Sequence, residues 1–297
     1  MNTVKNYLSL VKFSHTIFAM PFAMIGFFLG VNAIEASSPW YLRYGYKFIF
    51  VVLCMVFARS AAMAFNRYLD RNFDARNPRT AIREIPRGII SANQALVFTI
   101  ICSSLFVICS WALNNLCFFL SPVALFVILF YSYTKRFTPL CHLVLGLGLS
   151  LAPIGAYIAV VGRFNLLPVL FSLTVLFWVS GFDIIYALQD EEFDQSQKLY
   201  SIPAALGKVN ALRVSEILHL LCASVVVVAG FYGAFHVWYW IGMMVFVGML
   251  IYQHSIVKPH DLKRVNLAFM TANGIASVVF ACFVLLDLFL GKIPFSN

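Results

Sequence analysis

The sequence predicts an all-α, polytopic membrane protein: a helical bundle of about nine transmembrane helices. Three observations predict it. Hydrophobic residues make up 62% of the chain and charged residues 11%, whereas a typical soluble domain has about 25% charged residues. A soluble protein this apolar could not cover its own core. The chain also holds nine apolar stretches, which at about 20 residues per span use roughly 180 of the 297 residues. That leaves short loops and no room for a soluble domain, so 1–297 reads as a single integral-membrane domain. Finally, the basic residues are distributed unequally between alternate loops, as membrane topology requires.

The expected spans are about 14–34, 47–66, 95–113, 115–133, 140–161, 165–189, 211–233, 235–255 and 266–290. The first follows Lys5 and Lys12 and lacks a clear small-residue cleavage site. It therefore reads as a retained span rather than a signal peptide. Pro21 and Pro153 fall inside spans and are expected to mark kinks. The seven cysteines form no CxxC pair and no metal-ligand spacing, so they read as small apolar residues in helices.

Nine spans put the termini on opposite sides. With the N-terminus cytoplasmic, sixteen lysines and arginines face the cytoplasm: Lys5 and Lys12, six arginines from Arg67 to Arg87, Lys135 and Arg136, then Lys198, Lys208 and Arg213, then Lys258, Lys263 and Arg264. The other side has four: Arg43, Lys47, Arg163 and Lys292. This positive-inside bias supports the span count, the orientation and, for a bacterial protein, the inner membrane. It also accounts for the basic excess, so nucleic acid is not an expected partner.

Eight of the twelve acidic residues lie in two places: Asp70, Asp74 and Glu84, and Asp183, Asp190, Glu191, Glu192 and Asp194. Both sets sit at the cytoplasmic end of an even-numbered span. Asn66, Asp70 and Asp74 are spaced i, i+4, i+8 and share one helical face. Asp190 and Asp194 are again i, i+4. Offsets of 0, 7 and 11 occur twice, as Arg59/Asn66/Asp70 and as Asp183/Asp190/Asp194, and Ile85-Pro86 and Ile202-Pro203 follow the two sets. The copies start 124 residues apart, which points to a possible four-helix internal repeat with a ninth helix appended.

Two facing carboxylate pairs suit Mg²⁺, which binds through one or two carboxylates plus substrate phosphates. Held so, the ions make a diphosphate a leaving group. The six arginines between 67 and 87 add forks shaped for phosphate oxygens. The competing reading is a solvated loop with surface salt bridges of small value; matched spacing at matched topological positions weighs against it. Arg59 lies within a span, where a charge costs about 2.5–3.5 kcal/mol on insertion scales. It is read as a functional-site residue that binds an anionic group of a substrate, such as a diphosphate oxygen, the alternative being an ion pair with Asp183, which would then orient it. His142 could contact substrate but reads rather as a structural loop histidine, and His219, His236 and His254 share no ligand spacing.

Asn66-xxx-Asp70-xxx-Asp74 and Asp190-xxx-Asp194 resemble the two aspartate-rich motifs of the UbiA-type intramembrane aromatic prenyltransferases. The resemblance extends to Asn77-Pro-Arg79-Thr80-Ala-Ile-Arg83-Glu-Ile-Pro86-Arg-Gly88, to Tyr131-Ser-Tyr-Thr-Lys135-Arg136-Phe-Thr138 and to Asp183-Ile-Ile-Tyr186-Ala-Leu-Gln-Asp190. It implies a lateral, lipid-open cavity capped by cytoplasmic loops. Within it Asn66, Asp70, Asp74, Asp190 and Asp194 would hold Mg²⁺. Arg59, Arg79, Arg83, Lys135, Arg136 and Tyr186 would contact substrate, and Asp183 would take part in catalysis. The implied reaction transfers a polyprenyl group from its diphosphate to a ring carbon of an aromatic hydroxy acid such as 4-hydroxybenzoate, toward ubiquinone or menaquinone. Two positions depart from the common pattern. Arg67 stands where many relatives carry Asp, and Leu199-Tyr-Ser-Ile-Pro203 stands where many carry Lys-Ser/Thr. The second version looks like the branch that prenylates 1,4-dihydroxy-6-naphthoate. Rival classes fit less well. A cation-coupled transporter usually places its charge near the midplane. Prenyl transfer to haem or to a chlorophyll-type ring needs a larger pocket. A phosphatidyltransferase needs a longer glycine-containing aspartate signature.

Overall fold

The computed structural model describes residues 2–11, 18–34 and 39–291. A short helix α1 (Asn2–Leu10) precedes α2 (Met20–Asn32), α3 (Trp40–Arg76), α4 (Ala92–Leu113), α5 (Asn115–Thr134), α6 (Cys141–Val161) and α7 (Leu166–Ala187). A 3₁₀ turn (Leu188–Asp190) leads into α8 (Glu191–Ser196), followed by α9 (Ile202–Tyr232), α10 (Val237–Ile256), a π-helical turn (Leu267–Ala272) and α11 (Asn273–Leu290). No strand occurs among the described residues, and the expected all-α membrane bundle is what the chain forms.

Among the described residues, eight helical segments are long and apolar enough to cross a membrane. The expected first span is shorter here. Met20–Asn32 has 13 residues, about 20 Å at 1.5 Å per residue, against a hydrocarbon core of about 30 Å. Residues 12–17, where that span was expected to begin, lie outside the described residues, as does Lys292.

Pro21 does not kink a span. It occupies the first turn of α2, where its missing N–H leaves no bond unmade. Pro153 does lie inside α6, and a Cβ added at Gly26 would meet the Pro153 carbonyl. Glycine there lets α2 and α6 approach closely, as small residues do between membrane helices. The helix expected from 211 starts at Ile202, with Ser201 as its N-cap, and breaks at Gly207, whose φ of 76° lies in the left-handed region. A side chain with a Cβ adopts that conformation at a cost.

The element order repeats across the chain. A helix (α2, α6) precedes a motif-bearing helix (α3, α7), then a polar loop and two further helices (α4 and α5, α9 and α10), with α11 added last. The main core packs Phe22, Phe171, Trp178, Tyr239, Phe246 and Phe280 between α2, α7, α10 and α11. His219 and His254, which share no sequence spacing, meet across α9 and α10 at 2.8 Å, and the other nitrogen of His219 lies 3.3 Å from the Trp178 carbonyl. They clamp helices rather than line a site.

Candidate functional site

Three polar connections meet at one end of the bundle and carry the site. The first follows α3. Its heptad-like run continues without a break to Arg76, so Asn66, Asp70 and Asp74 lie on one face as expected. Pro78 then stops the helix. Asn77 accepts the Arg79 backbone N–H at 2.9 Å, an Asx turn that swings the loop back toward α7. The loop ends at Ser91, where a reciprocal capping box with Gln94 starts α4. The second motif differs from expectation. Asp190 and Asp194 do not share one α-helical run: the chain tightens into a 3₁₀ turn at 188–190, and Asp190 is the N-cap of α8. The 135–140 connection is tied to the third loop by the Tyr200 N–H, which donates to the Lys135 carbonyl at 2.7 Å.

These loops cap a chamber of about 470 Å³. Asn66, Asp70, Asp74, Asp183, Asp190 and Asp194 all line it. So do Arg59, Arg79, Arg83, Lys135 and Tyr186. Arg136 reaches the site from behind, donating to Asp70 Oδ1 at 3.1 Å and to the Leu69 carbonyl at 3.0 Å. Of the six arginines between 67 and 87, Arg71, Arg76 and Arg87 do not line the chamber. Arg71 binds the Tyr68 carbonyl and Arg76 the Gln197 side chain. Arg67, the departure from the common motif, is buried in the chamber wall.

Every motif carboxylate has polar partners. Asp70 receives Asn66 Nδ2 at 3.1 Å, Lys135 at 3.3 Å and Arg136. Asp74 Oδ1 receives Arg83 at 2.6 Å. Arg79 grips Asp190 with both Nε and Nη2, and its Nη1 donates to the Tyr186 hydroxyl at 3.0 Å. Asn77 adds a bond to Asp190 at 3.1 Å. Burial works against the charged Arg79, but the bonds and charge of Asp190 outweigh it and push its pKa up. Asp194 bonds the Ser201 side chain. The expected alternative pairing of Arg59 with Asp183 does not form: Asp183 Oδ2 is taken by His142 Nδ1 at 2.7 Å. Arg59 Nε is buried without a hydrogen-bond partner. His142 itself lies in the first turn of α6, buried, and not in a loop.

The donor set fits a hard cation. The motif side chains offer oxygen ligands, and Asp74 Oδ2 is buried with no hydrogen-bond partner. Among the described residues no three acidic, histidine or cysteine side chains converge on one point. Carboxylate oxygens of this kind can bind a hard cation together with substrate phosphates.

Below the chamber lies a second cavity of about 350 Å³ between α3, α4, α5 and α6. Its walls are apolar, among them Met55, Ala58, Phe106, Leu120 and Ile128. Arg59, Met63, Tyr131, Leu145 and Leu149 line both spaces, so the two meet there. Val123 and Phe164 line the apolar cavity and are both exposed, so the cavity is not closed off at those two residues. The sequence assigned no individual role to Asn77, Tyr131 or Ser201, nor to an aromatic wall of Phe18, Phe182 and Phe269, and it favoured a structural reading of His142. Phe269 sits on the π-helical turn with its ring 4.2 Å from that of Tyr186 and 5.4–5.5 Å from those of Phe18 and Phe182. Only Asn77, as an Asx residue before proline, carried a legible local signal.

Comparison with known proteins agrees with this geometry. The family model described as the UbiA prenyltransferase family matches residues 19–275. A 4-hydroxybenzoate octaprenyltransferase of Tolumonas auensis is 30% identical over 223 residues, 75% of this chain and 78% of that protein. One of Nitrosospira multiformis is 31% identical over 235 residues, 79% of this chain and 80% of that protein. Among solved structures, a UbiA homologue from Aeropyrum pernix K1 in its apo form is 26% identical, with a TM-score of 0.77 over 94% of this chain and 98% of that one. A UbiA homologue from Archaeoglobus fulgidus bound to GPP and Mg²⁺ shares the fold at 19% identity, with a TM-score of 0.72 over 96% of this chain and 100% of that one. The chain is an integral membrane protein and belongs to the UbiA prenyltransferase family.

Proposed function

We propose that this chain transfers a polyprenyl group from a polyprenyl diphosphate to a ring carbon of an aromatic hydroxy acid of the 4-hydroxybenzoate type, with Mg²⁺, in the synthesis of a respiratory quinone. One observation carries the reading. A chamber lined by aspartates and arginines opens at Arg59 and Tyr131 onto an apolar cavity between spans. A substrate with a multiply charged head and a long apolar tail suits that pair of environments. The relatives named as 4-hydroxybenzoate octaprenyltransferases support the same class.

In this reading Arg79, Arg83, Lys135 and Arg136 hold the diphosphate, exchanging their carboxylate partners for phosphate oxygens. Asn66, Asp70, Asp74, Asp190 and Asp194 would hold Mg²⁺, which would supply the neutralising charge that makes the diphosphate a leaving group. Tyr186, Phe269, Phe182 and Phe18 line the same chamber, and an aromatic face turned to the allylic cation would stabilise it by up to about 2 kcal/mol when desolvated. Apolar walls keep water from that cation. Arg59, whose Nε has no partner, binds the acceptor's carboxylate from α3, while Asp183 faces it from α7. The allylic C–O bond breaks and diphosphate departs toward the loops, the acceptor ring carbon bonds to the allylic cation, and that carbon gives up its proton, to the departing diphosphate or to Asp183, so that the ring regains aromaticity. The sixteen-to-four basic bias supports a cytoplasmic N-terminus and cytoplasmic active-site loops, in a bacterial inner membrane, with 1–297 acting as one domain.

A second acceptor, 1,4-dihydroxy-6-naphthoate, is favoured by the Leu199–Pro203 version of the third loop. The test is an acceptor panel. Membranes holding the protein receive Mg²⁺, a polyprenyl diphosphate and either acid, and products are read by mass spectrometry. A prenylated product that disappears with EDTA supports the reading and selects the acceptor. No product from either acid, with folded protein and intact diphosphate, overturns it.

A further inference from the structure

We propose that His142 is a positioning residue for Asp183, and that the pair reads the ring hydroxyl of the aromatic acceptor. The inference rests on the function proposed above and assigns a residue to its acceptor side.

Both nitrogens of the buried His142 ring have partners, and those partners fix its tautomer. The Ile202 backbone N–H points at Nε2, 3.3 Å away. A backbone amide can only donate, so Nε2 is the unprotonated nitrogen. Nδ1 therefore carries the proton and donates it to Asp183 Oδ2 at 2.7 Å. The imidazole links the start of α6, the C-terminal part of α7 and the start of α9. The Ser180 hydroxyl, one turn before Asp183, donates to the Leu176 carbonyl of its own helix at 2.7 Å and lies 3.2 Å from the His142 carbonyl, so α7 packs close against the backbone of His142.

The consequence falls on Asp183. Its side chain is 23% exposed, against 4% for His142, and it lines the polar chamber. With Oδ2 occupied, Oδ1 is the oxygen left for the chamber, and it makes no hydrogen bond among the described residues. A carboxylate held by one oxygen presents the other as a fixed acceptor, the arrangement that recognises a hydroxyl and rejects an analogue lacking it. Arg59 enters the same chamber from α3. An aromatic acid with a carboxylate at one end and a hydroxyl at the other can lie between Arg59 and Asp183. Donating its hydroxyl to Asp183 enriches the ring in electrons at the carbon that attacks.

A structural histidine and a positioning one are separated by the acceptor's own hydroxyl. His142→Leu removes the donor to Oδ2, while His142→Asn places a side-chain N–H close to the position of Nδ1. In detergent-purified protein with Mg²⁺ and a polyprenyl diphosphate, kcat/KM for the acceptor should fall about 10- to 100-fold in His142→Leu, the range for losing a hydrogen bond to a charged group. The Asn variant should recover most of it, and KM for the diphosphate should not move. The paired probes are the acid that the unaltered protein prenylates and its hydroxyl-free counterpart: 4-hydroxybenzoate and benzoate, or 1,4-dihydroxy-6-naphthoate and 2-naphthoate. His142→Leu should weaken binding of the hydroxylated acid and leave inhibition by the hydroxyl-free acid unchanged. Equal weakening for both acids, or a parallel loss of diphosphate binding, overturns the proposal in favour of a purely structural role. So does an Asn variant no better than Leu. If His142→Leu does not fold, the comparison of His142→Asn with His142→Gln on the same acid pairs decides by the same criterion. Failure of the unaltered protein to prenylate any acid would instead sink the underlying function.

Discussion

Replacing Asp74 with Asn keeps the shape of the side chain and removes its charge. In the folded chain Oδ1 receives Arg83 at 2.6 Å, while Oδ2 is buried without a hydrogen-bond partner. The side chain is 7% exposed and Arg83 21%. An asparagine oxygen can still accept from Arg83, so the structural loss is the charge assistance in one bond, about 1 kcal/mol of a total near 1.5–3 kcal/mol. The functional loss should be far larger, because the amide NH₂ would take the place of the unpartnered oxygen and repel a cation there. If Oδ2 serves Mg²⁺, a loss of at least about 100-fold in kcat/KM is expected, about 2.7 kcal/mol at 1.36 kcal/mol per tenfold. The half-saturating Mg²⁺ concentration should rise in parallel. The assay is prenyl transfer in membranes across a Mg²⁺ titration, alongside thermal unfolding in detergent. Asp74→Asn protein with normal turnover at ordinary Mg²⁺ would refute the reasoning. So would a fall in activity fully explained by unfolding.

Three further outcomes follow from particular contacts. Arg79→Lys keeps the charge but loses the fork on Asp190 and the bond to Tyr186. Turnover should drop roughly tenfold or more, since a lysine cannot reproduce bidentate geometry; turnover assays with Lys and Ala variants side by side check this. Ala58→Trp fills the apolar cavity that Ala58 lines, so transfer from long-chain diphosphates should fall while dimethylallyl diphosphate remains a donor, read as the ratio of the two rates. Gly26→Leu would drive a side chain into the Pro153 carbonyl and should destabilise the fold by about 1–3 kcal/mol, the usual range for overpacking, measured as a lowered unfolding midpoint in detergent.

How much could be read from the sequence depended on whether one helix carried the relation. Asn66, Asp70 and Asp74 share a face because α3 runs unbroken to Arg76. Their alignment was a matter of helical period alone. The same arithmetic failed for Asp190 and Asp194, where the chain tightens to 3₁₀ with no glycine or proline to announce it. Charge sign offered an Arg59–Asp183 pair as the alternative to substrate binding, yet tertiary packing gave Asp183 to His142 on α6. The His219–His254 pair spans 35 residues and no local pattern could reveal it. Pro21 was ambiguous because a proline inside an apolar run and one in a helix's first turn look alike until the helix start is known. The apolar cavity arises from facing sides of several spans, which hydropathy shows as equally apolar.

The central claim is that the polar chamber and the apolar cavity hold the two ends of one substrate molecule. An experimental structure of the protein with Mg²⁺ and a non-hydrolysable prenyl thiodiphosphate tests it directly. The expected result places the diphosphate among Asp70, Asp74, Asp190 and Asp194, with the tail passing Arg59 and Tyr131 to run along Ala58, Leu120 and Ile128. A tail lying outside the space between α3, α5 and α6, or a diphosphate bound away from both aspartate motifs, would contradict the account.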